Sequence, residues 1–358
     1  MNPGLVRSGI ERAYAILDEA VAAGLIPGAV ALVGVDRGWL EPHVVGHAVD
    51  LPHERVPMRA DTIFDLASLT KVVATLPAML LLVGEGVADL QAPAAEVFEE
   101  WAGDPRKGRI TLLHLLTHTS GLPAHVKLYE HGWSPREILQ QVLATPLVHP
   151  PGAKVIYSDL GYILLGEWVR RVTGQDLGEW TRVRLYEPLG MRDTMFSPPP
   201  ELRDRIAACE YRDYLGGYQR GQVNDDNAWA LGGVSGHAGL FSTAQDLARY
   251  LDACWLPWTE GGFFPKPLVA AALRDYTTGL GGHRGLGWVL KGDPYDNSGQ
   301  LTSPRAFGHT GYTGTSLWVD PEYRLKVVLL TNRVHATLRP GIVSLRRRFH
   351  NAVVCALA

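Results

Sequence analysis

The sequence predicts an α+β protein: an antiparallel sheet flanked by N- and C-terminal helices, with a mostly helical domain inserted between the two halves of the sheet. Three observations carry this. An amphipathic helix opens the chain and two β-favouring runs follow it; the periodic segments from about residue 93 to 250 are mostly helical; and strand patterns return after Gly285, before a closing helix. The expected division is a sheet domain built from 1–90 and 245–358, with the helical insert at 91–244.

In the opening helix, Leu5, Ile10, Ala13, Ile16, Leu17, Ala20 and Val21 recur at helical spacing between charged residues, and Gly24 ends the pattern. The runs Gly28–Val35 and His43–Val49 lie on either side of Asp36-Arg37-Gly38, which reads as a hairpin turn. Ser68 to about Val83 forms an apolar helix. Helical periodicity then marks Leu112–Leu116, Pro135–Leu143, Leu160–Val172 and Ala244–Leu251. Late strands are expected at Gly287–Lys291, Arg305–His309, Thr315–Asp320 and Leu325–Thr331, the last two joined around Pro321-Glu322-Tyr323-Arg324. Arg339–Ala356 forms the closing amphipathic helix.

The composition narrows the function. With 358 residues, 46% hydrophobic and 20% charged, the chain can bury a full core, which excludes a disordered or collagenous protein. A net charge of −3 provides no field to recruit nucleic acid or an anionic membrane, so a small-molecule substrate is the expected partner. Cys209, Cys254 and Cys355 are an odd set, too few for a disulfide framework, and fit a reducing compartment. Charges interrupt Met1 to Leu25, so no signal peptide is read there, and the longest apolar run, Val72 to Val83, is shorter than the roughly 20 residues a membrane helix needs. A cytoplasmic location is the resulting expectation. Neither a cofactor nor a metal is called for, and the sequence does not set the oligomeric state.

A Gly-x-Ser-x-Gly nucleophile elbow is absent. Ser68-Leu69-Thr70-Lys71, the one Ser-x-x-Lys in the chain, places a hydroxyl and an amine on one helical face, about 5–6 Å apart at Cβ. Serine is a poor nucleophile until a neighbour takes its proton, and a lysine in an apolar pocket loses part of its preference for the ammonium form. A helix start also offers backbone N–H groups for an oxyanion. A chain of this length holds about one such spacing by chance, so the partners decide its meaning.

Two further motifs follow in order, Tyr157-Ser158-Asp159 and His309-Thr310-Gly311. With them the chain resembles the serine β-lactamase and penicillin-binding superfamily, in the class C-like branch that also holds esterases and D-aminopeptidases. The resemblance extends to Phe64-Asp65-Leu66-Ala67, to the Leu115–Leu122 stretch and to Leu231–Leu240, and spans roughly Gly28 to Asn332. It implies Ser68 as nucleophile, Lys71 as its activating partner and Tyr157 as the phenol that relays the proton, with His309 heading the third motif. Which of Lys71 and Tyr157 is the general base stays open. Asp159, Thr310, Gly311 and Tyr312 would bind substrate, the Tyr312 N–H as second oxyanion donor.

Two departures from the family pattern matter. Asp159 stands where the family has asparagine, so an amide donor becomes a carboxylate that only accepts when ionised. His309 replaces a common lysine and leaves the site without a permanent cation there. Tyr295-Asp296-Asn297 and Tyr211-Arg212-Asp213 rival the second motif, but Tyr157 directly precedes a helix and is preferred. His114 and His118 have the spacing of two zinc ligands, yet lack the accompanying Glu and a third ligand, so structural roles are expected. The Gly279–Gly285 run lacks the Gly-Lys-Ser/Thr of a phosphate loop and reads as a loop near the site. Trp133, Trp229, Trp288 and Trp318 are expected in packing roles before any acyl pocket. The expectation is a serine hydrolase acting on esters, amides or β-lactams, most simply a carboxylesterase or weak β-lactamase. The alternatives are a D-alanyl-D-alanine carboxypeptidase, a D-aminopeptidase, or a catalytically silent penicillin-binding relative.

Overall fold

The computed structural model describes residues 5–256, 262–336 and 338–358. One antiparallel sheet runs, in spatial order, Val289–Leu290, Phe307–Thr310, Ser316–Asp320, Leu325–Thr331, Gly28–Val35, His43–Leu51 and Glu54–Pro57, with Gly38–Trp39 also paired to Gly28–Val35. The two ends of the chain meet at its centre, where Val30 faces Leu330 and Leu32 faces Val328. The turn after Gly28–Val35 has Asp36 at φ 54°, a left-handed position that Asp tolerates better than most residues.

Alternation along the central strands divides the core in two. Ala29, Ala31, Val33, Val35, Leu325, Val327 and Leu329 face the opening helix Arg7–Ala22 and the closing helix Ile342–Val354, through Ile10, Ala13, Leu17, Leu345, Phe349 and Val353. Val30, Leu32, Val328 and Leu330 face the other way, into the larger core around Val72, Val73 and Leu76. Both faces are covered, so a one-residue slip would exchange the side chains that fill the two cores.

The stretch read as a single apolar helix from Ser68 is built in three geometries: a 3₁₀ turn at Ala67–Leu69, a π-helical turn at Lys71–Thr75 and an α-helix at Leu76–Gly84. Pro77 is the physical reason, since it has no N–H to give the carbonyl of Val73. The Tyr186 hydroxyl donates to that carbonyl at 3.2 Å, and the Tyr250 hydroxyl donates to the carbonyl of Val72. Ala67–Gly84 is 78% buried inside the protein.

Between these elements the chain is mainly helical, at Leu112–Leu116, Pro135–Ala144, Asp159–Thr173, Leu177–Thr181 and Asp226–Ala230. It also contains short strands that hydropathy periodicity did not reveal. Phe64–Asp65, Leu240–Ser242 and Met195–Phe196 form a three-stranded sheet, and Tyr211–Arg212 pairs with Gly217–Tyr218. Runs of two or three residues are too short to show a period of two. The three cysteines are unpaired.

Candidate active site

Delivery of Ser68 begins at Asp65, whose buried carboxylate accepts from the Ala67 N–H at 2.7 Å and from the Asn224 N–H at 2.6 Å. Burial pushes this carboxyl up to about 6, against the pull of those two N–H bonds. Ala67 sits at φ 47°, a strained position for a residue with a Cβ, and Asp65 holds it there immediately before Ser68. Sequence reasoning noticed Asp65 only as part of a similar stretch.

Lys71 follows one turn later with its side chain fully buried. Its three ammonium hydrogens have three acceptors: Ser68 Oγ at 3.1 Å, Asp159 Oδ1 at 2.7 Å and the His237 carbonyl at 3.0 Å. Burial alone would pull the lysine down, but the Asp159 carboxylate and the Tyr157 hydroxyl outweigh it and raise Lys71 above the ordinary lysine value. This corrects the sequence expectation of a lysine losing its ammonium preference. The pocket contains a counterion, and the substitution of Asp for Asn in the second motif supplies it. Asp159 in turn is held far below the usual carboxylate range: burial opposes this, and Lys71 and His125 prevail.

The second motif is held by the stretch Leu115–Leu122. Ile156 N–H donates to the His118 carbonyl at 2.8 Å, Ser158 N–H to His118 Nδ1 at 3.0 Å, and Asp159 N–H to the Ala124 carbonyl at 2.9 Å. Ser158 then caps the helix Asp159–Thr173 through Gly161 N–H, which places Tyr157 and Asp159 on either side of a fixed point. His114 serves its own helix in a capping box with Thr111. The Tyr157 ring lies 4.9 Å from Lys71 Nζ and 4.5 Å from the His118 ring. Of its rivals, Tyr295 stacks beside Tyr157 at 5.4 Å, and Tyr211 lies against Tyr218 on the outer hairpin.

Phe307–Thr310 ends in the third motif, and the turn after it is fastened to the chain just ahead of Ser68. Thr313 Oγ1 donates to the Asp65 carbonyl at 2.8 Å, and Thr315 Oγ1 to the Leu66 carbonyl at 3.0 Å. Gly311 must be glycine, because a Cβ there would stand 2.3 Å from the Leu66 carbonyl oxygen. From the closing helix, Arg346 Nη2 donates to the carbonyls of Gly311 and Thr315, both at 2.8 Å. His309 is buried, gives its Nδ1 hydrogen to the Thr310 carbonyl at 2.9 Å and leaves Nε2 without a partner among the described residues. Burial, with Arg284 and Lys71 nearby, drives His309 well below the ordinary histidine value, so it is neutral.

Ser68, Tyr157, Asp159, His309, Thr310, Gly311 and Tyr312 line one cleft of about 720 Å³, and Lys71 lies beneath its floor in contact with Ser68. All eight residues singled out from the sequence therefore come together. Three that the sequence did not single out stand with them: Arg284 and Arg346, which line the cleft, and His237, whose carbonyl takes a Lys71 hydrogen. The arrangement sets a hydroxyl beside a buried ammonium, which can orient it, in a cleft that also contains a phenol, which can exchange a proton. The Gly279–Gly285 loop lies against the approach to the second motif, with Val155 N–H donating to the Leu280 carbonyl at 3.0 Å. Trp288 and Trp318 are buried core residues.

The sequence pattern of the Beta-lactamase family matches residues 14–346. A protein of Salmonella schwarzengrund named "Putative D-alanyl-D-alanine carboxypeptidase" is 35% identical, over 78% of this chain and 72% of its own. Among solved structures, a beta-lactamase from Mycobacterium bovis is 26% identical with a TM-score of 0.64, covering 94% of this chain and 98% of its own. Simvastatin synthase from Aspergillus terreus shares the fold at 22% identity and a TM-score of 0.75, with 97% and 98% covered. The chain belongs to the Beta-lactamase family, and with it to the serine hydrolases.

Proposed function

We propose that the protein hydrolyses esters or amides through an acyl-enzyme on Ser68. The observation that carries this reading is the Ser68 Oγ to Lys71 Nζ contact of 3.1 Å, with Lys71 buried and paired to Asp159 in a cleft that also contains Tyr157. A lysine kept as ammonium has no lone pair to take the serine proton, so Tyr157 is the general base and Lys71 orients Ser68 and stabilises the phenolate. Ser68 Oγ attacks the carbonyl carbon as its proton passes to Tyr157, and the N–H groups of Ser68 and Tyr312 receive the oxyanion. Tyr157 returns the proton to the leaving atom, and water later takes the place of the leaving group to release the acid.

Labelling with a fluorophosphonate, with the adduct located by mass, tests the nucleophile. A label on Ser68 with turnover of p-nitrophenyl esters is the expected result; an unlabelled Ser68 in folded protein overturns it. A second reading, D-alanyl-D-alanine carboxypeptidase, is favoured by the name of the 35% identical relative. Comparing kcat/KM for p-nitrophenyl esters, nitrocefin, D-amino acid amides and D-alanyl-D-alanine peptides decides between them.

A further inference from the structure

His237 gives Lys71 its third acceptor, and its buried ring is bound on both sides. Nε2 donates to Asp225 Oδ1 at 2.8 Å, and Nδ1 meets the Ser235 hydroxyl at 2.8 Å. Asp225 is held below the usual carboxylate range: burial opposes this, and the His237 ring beside it prevails. As a carboxylate it only accepts, so the hydrogen of that contact sits on Nε2. The same oxygen caps the helix Asp226–Ala230 through the Ala228 N–H at 2.8 Å. These bonds close a circuit around Ser68. Asp65 holds the Ala67 N–H just ahead of Ser68 and the Asn224 N–H just ahead of Asp225. Asp225 holds the His237 ring, the His237 carbonyl accepts from Lys71 Nζ, and Lys71 Nζ donates to Ser68 Oγ. The segment is fastened on its other side as well. Thr75 Oγ1 donates to the Gly236 carbonyl at 2.6 Å, and a Cβ on Gly236 would stand 2.0 Å from the Tyr162 carbonyl oxygen. A backbone carbonyl is aimed by fixing the chain that carries it, and a side chain locked at both ring nitrogens does that.

We propose that His237 and Asp225 are positioning residues for the reaction at Ser68: the imidazole, clamped between Asp225 and Ser235, sets where the Lys71 ammonium stands relative to Ser68 Oγ. Both ring nitrogens are taken by protein atoms, so the histidine acts through Lys71. A fixed third acceptor leaves the ammonium one orientation, with a hydrogen each for Ser68, Asp159 and His237. Without the clamp the His237 carbonyl is free to turn away. Lys71 then keeps its 2.7 Å charge-assisted bond to Asp159 and gives up the longer, 3.1 Å bond to the neutral Ser68 hydroxyl. A displacement of about 1 Å at the reacting groups costs on the order of 10²-fold in rate. The inference rests on the hydrolase reading above and deepens it with residues that never meet the substrate.

The test compares His237→Leu, which fills the space without either hydrogen bond, with His237→Gln, whose amide can still donate to Asp225. Fluorophosphonate labelling of Ser68, taken to completion, counts the active sites, so that kcat for phenyl acetate is read per labelled site. His237→Leu is expected to lower kcat per site by about 10- to 100-fold with KM within about threefold, and His237→Gln to recover part of the loss. A histidine that only supports the fold would lower the number of labelled sites and leave kcat per site at the wild-type value, and that result overturns the proposal. Equal losses in the two variants overturn it too, since they tie the effect to the shape of the ring and not to its bond with Asp225. Should His237→Leu fail to fold, Ser235→Ala loosens the same clamp from its other side. It is expected to lower kcat per site severalfold, and a wild-type value overturns the proposal. If wild type takes no label and cleaves no ester, the hydrolase reading has failed, and crystal structures of wild type and the folded variant judge the clamp by itself. Lys71 Nζ is expected to leave hydrogen-bond reach of Ser68 Oγ in the variant, and an unmoved lysine overturns the proposal.

Discussion

The Lys71 ammonium and the Asp159 carboxylate meet at 2.7 Å with the lysine fully buried. This one contact explains how a cation survives out of water, and why the second motif ends in a carboxylate. Lys71 is raised above 10.5 and Asp159 is depressed below 3.8. The raised lysine contributes stability below its ordinary value, and this is lost as pH climbs through the folded value. The depressed carboxylate contributes stability above its ordinary value, and this is lost as pH falls towards the folded one. The pair therefore stabilises fully between about pH 4 and about pH 10. Asp159→Asn leaves a buried ammonium without a counterion and is expected to cost about 3 kcal/mol. Urea unfolding at pH 7 measures it; a loss below about 1 kcal/mol would show that Lys71 is not charged in the folded protein.

Ser68→Ala removes the hydroxyl proposed as nucleophile and little packing. The expected loss in kcat is on the order of 10⁶, with fluorophosphonate labelling abolished and the melting temperature unchanged. Activity within tenfold of wild type would transfer the chemistry to another residue.

Lys71→Ala and Tyr157→Phe are each expected to lower kcat strongly, and the double variant to be little worse than the worse single one, because the proposed mechanism puts both residues on one proton path. Fully additive losses would separate their roles. Tyr295→Phe removes only a hydroxyl on a half-exposed ring and is expected to leave phenyl acetate turnover within a few-fold.

The frame of the fold was legible because it rests on period. Gly28–Val35 and Leu325–Thr331 are β-favouring, nearly continuous apolar runs, buried at every position, and the two end helices show an apolar stripe. The break at Pro77 was visible as a residue but not as a consequence, since its replacement partners, Tyr186 and Tyr250, lie over a hundred positions away. The site was legible where its residues are adjacent in sequence, as in Ser68 and Lys71. Long-range partners left no local signal. Arg284 sits in a glycine-rich run that was read as a loop near the site without singling out the arginine, and His237 contributes a backbone carbonyl, which no side-chain pattern records. The charge state of Lys71 was misjudged for the same reason, because Asp159 stands 88 residues away.

A histidine free to titrate at the third motif would give the site a preference for anions that grows as it becomes protonated near pH 6. The structure removes that dependence, because burial holds His309 well below 6.5 and its Nδ1 hydrogen is engaged by the Thr310 carbonyl. The ratio of kcat/KM for 4-carboxyphenyl acetate to that for phenyl acetate is therefore expected to stay flat from pH 8 to pH 6, even where both rates fall as the base is protonated. A ratio that rises severalfold over this interval would mean that His309 titrates in the cleft.

Buried neutral histidines also set the acid limit of the fold. His350 on the closing helix is pushed down to about 4 by burial, partly offset by its hydrogen bond to the Asn297 carbonyl. His118 and His309 are driven well below 6.5 in the same direction. A lowered folded value for histidine means that the unfolded chain binds the extra proton first, so stability falls as pH drops below the unfolded value near 6.5. For His350 alone the loss at pH 5 is about 2 kcal/mol, from roughly 1.36 kcal/mol for each unit between its unfolded value and the pH. His350→Gln cannot take that proton, and its denaturation midpoint is expected to change less between pH 7 and pH 5 than that of wild type. If the two proteins lose stability in parallel, His350 is already protonated in the folded state or its surroundings open to water before it titrates.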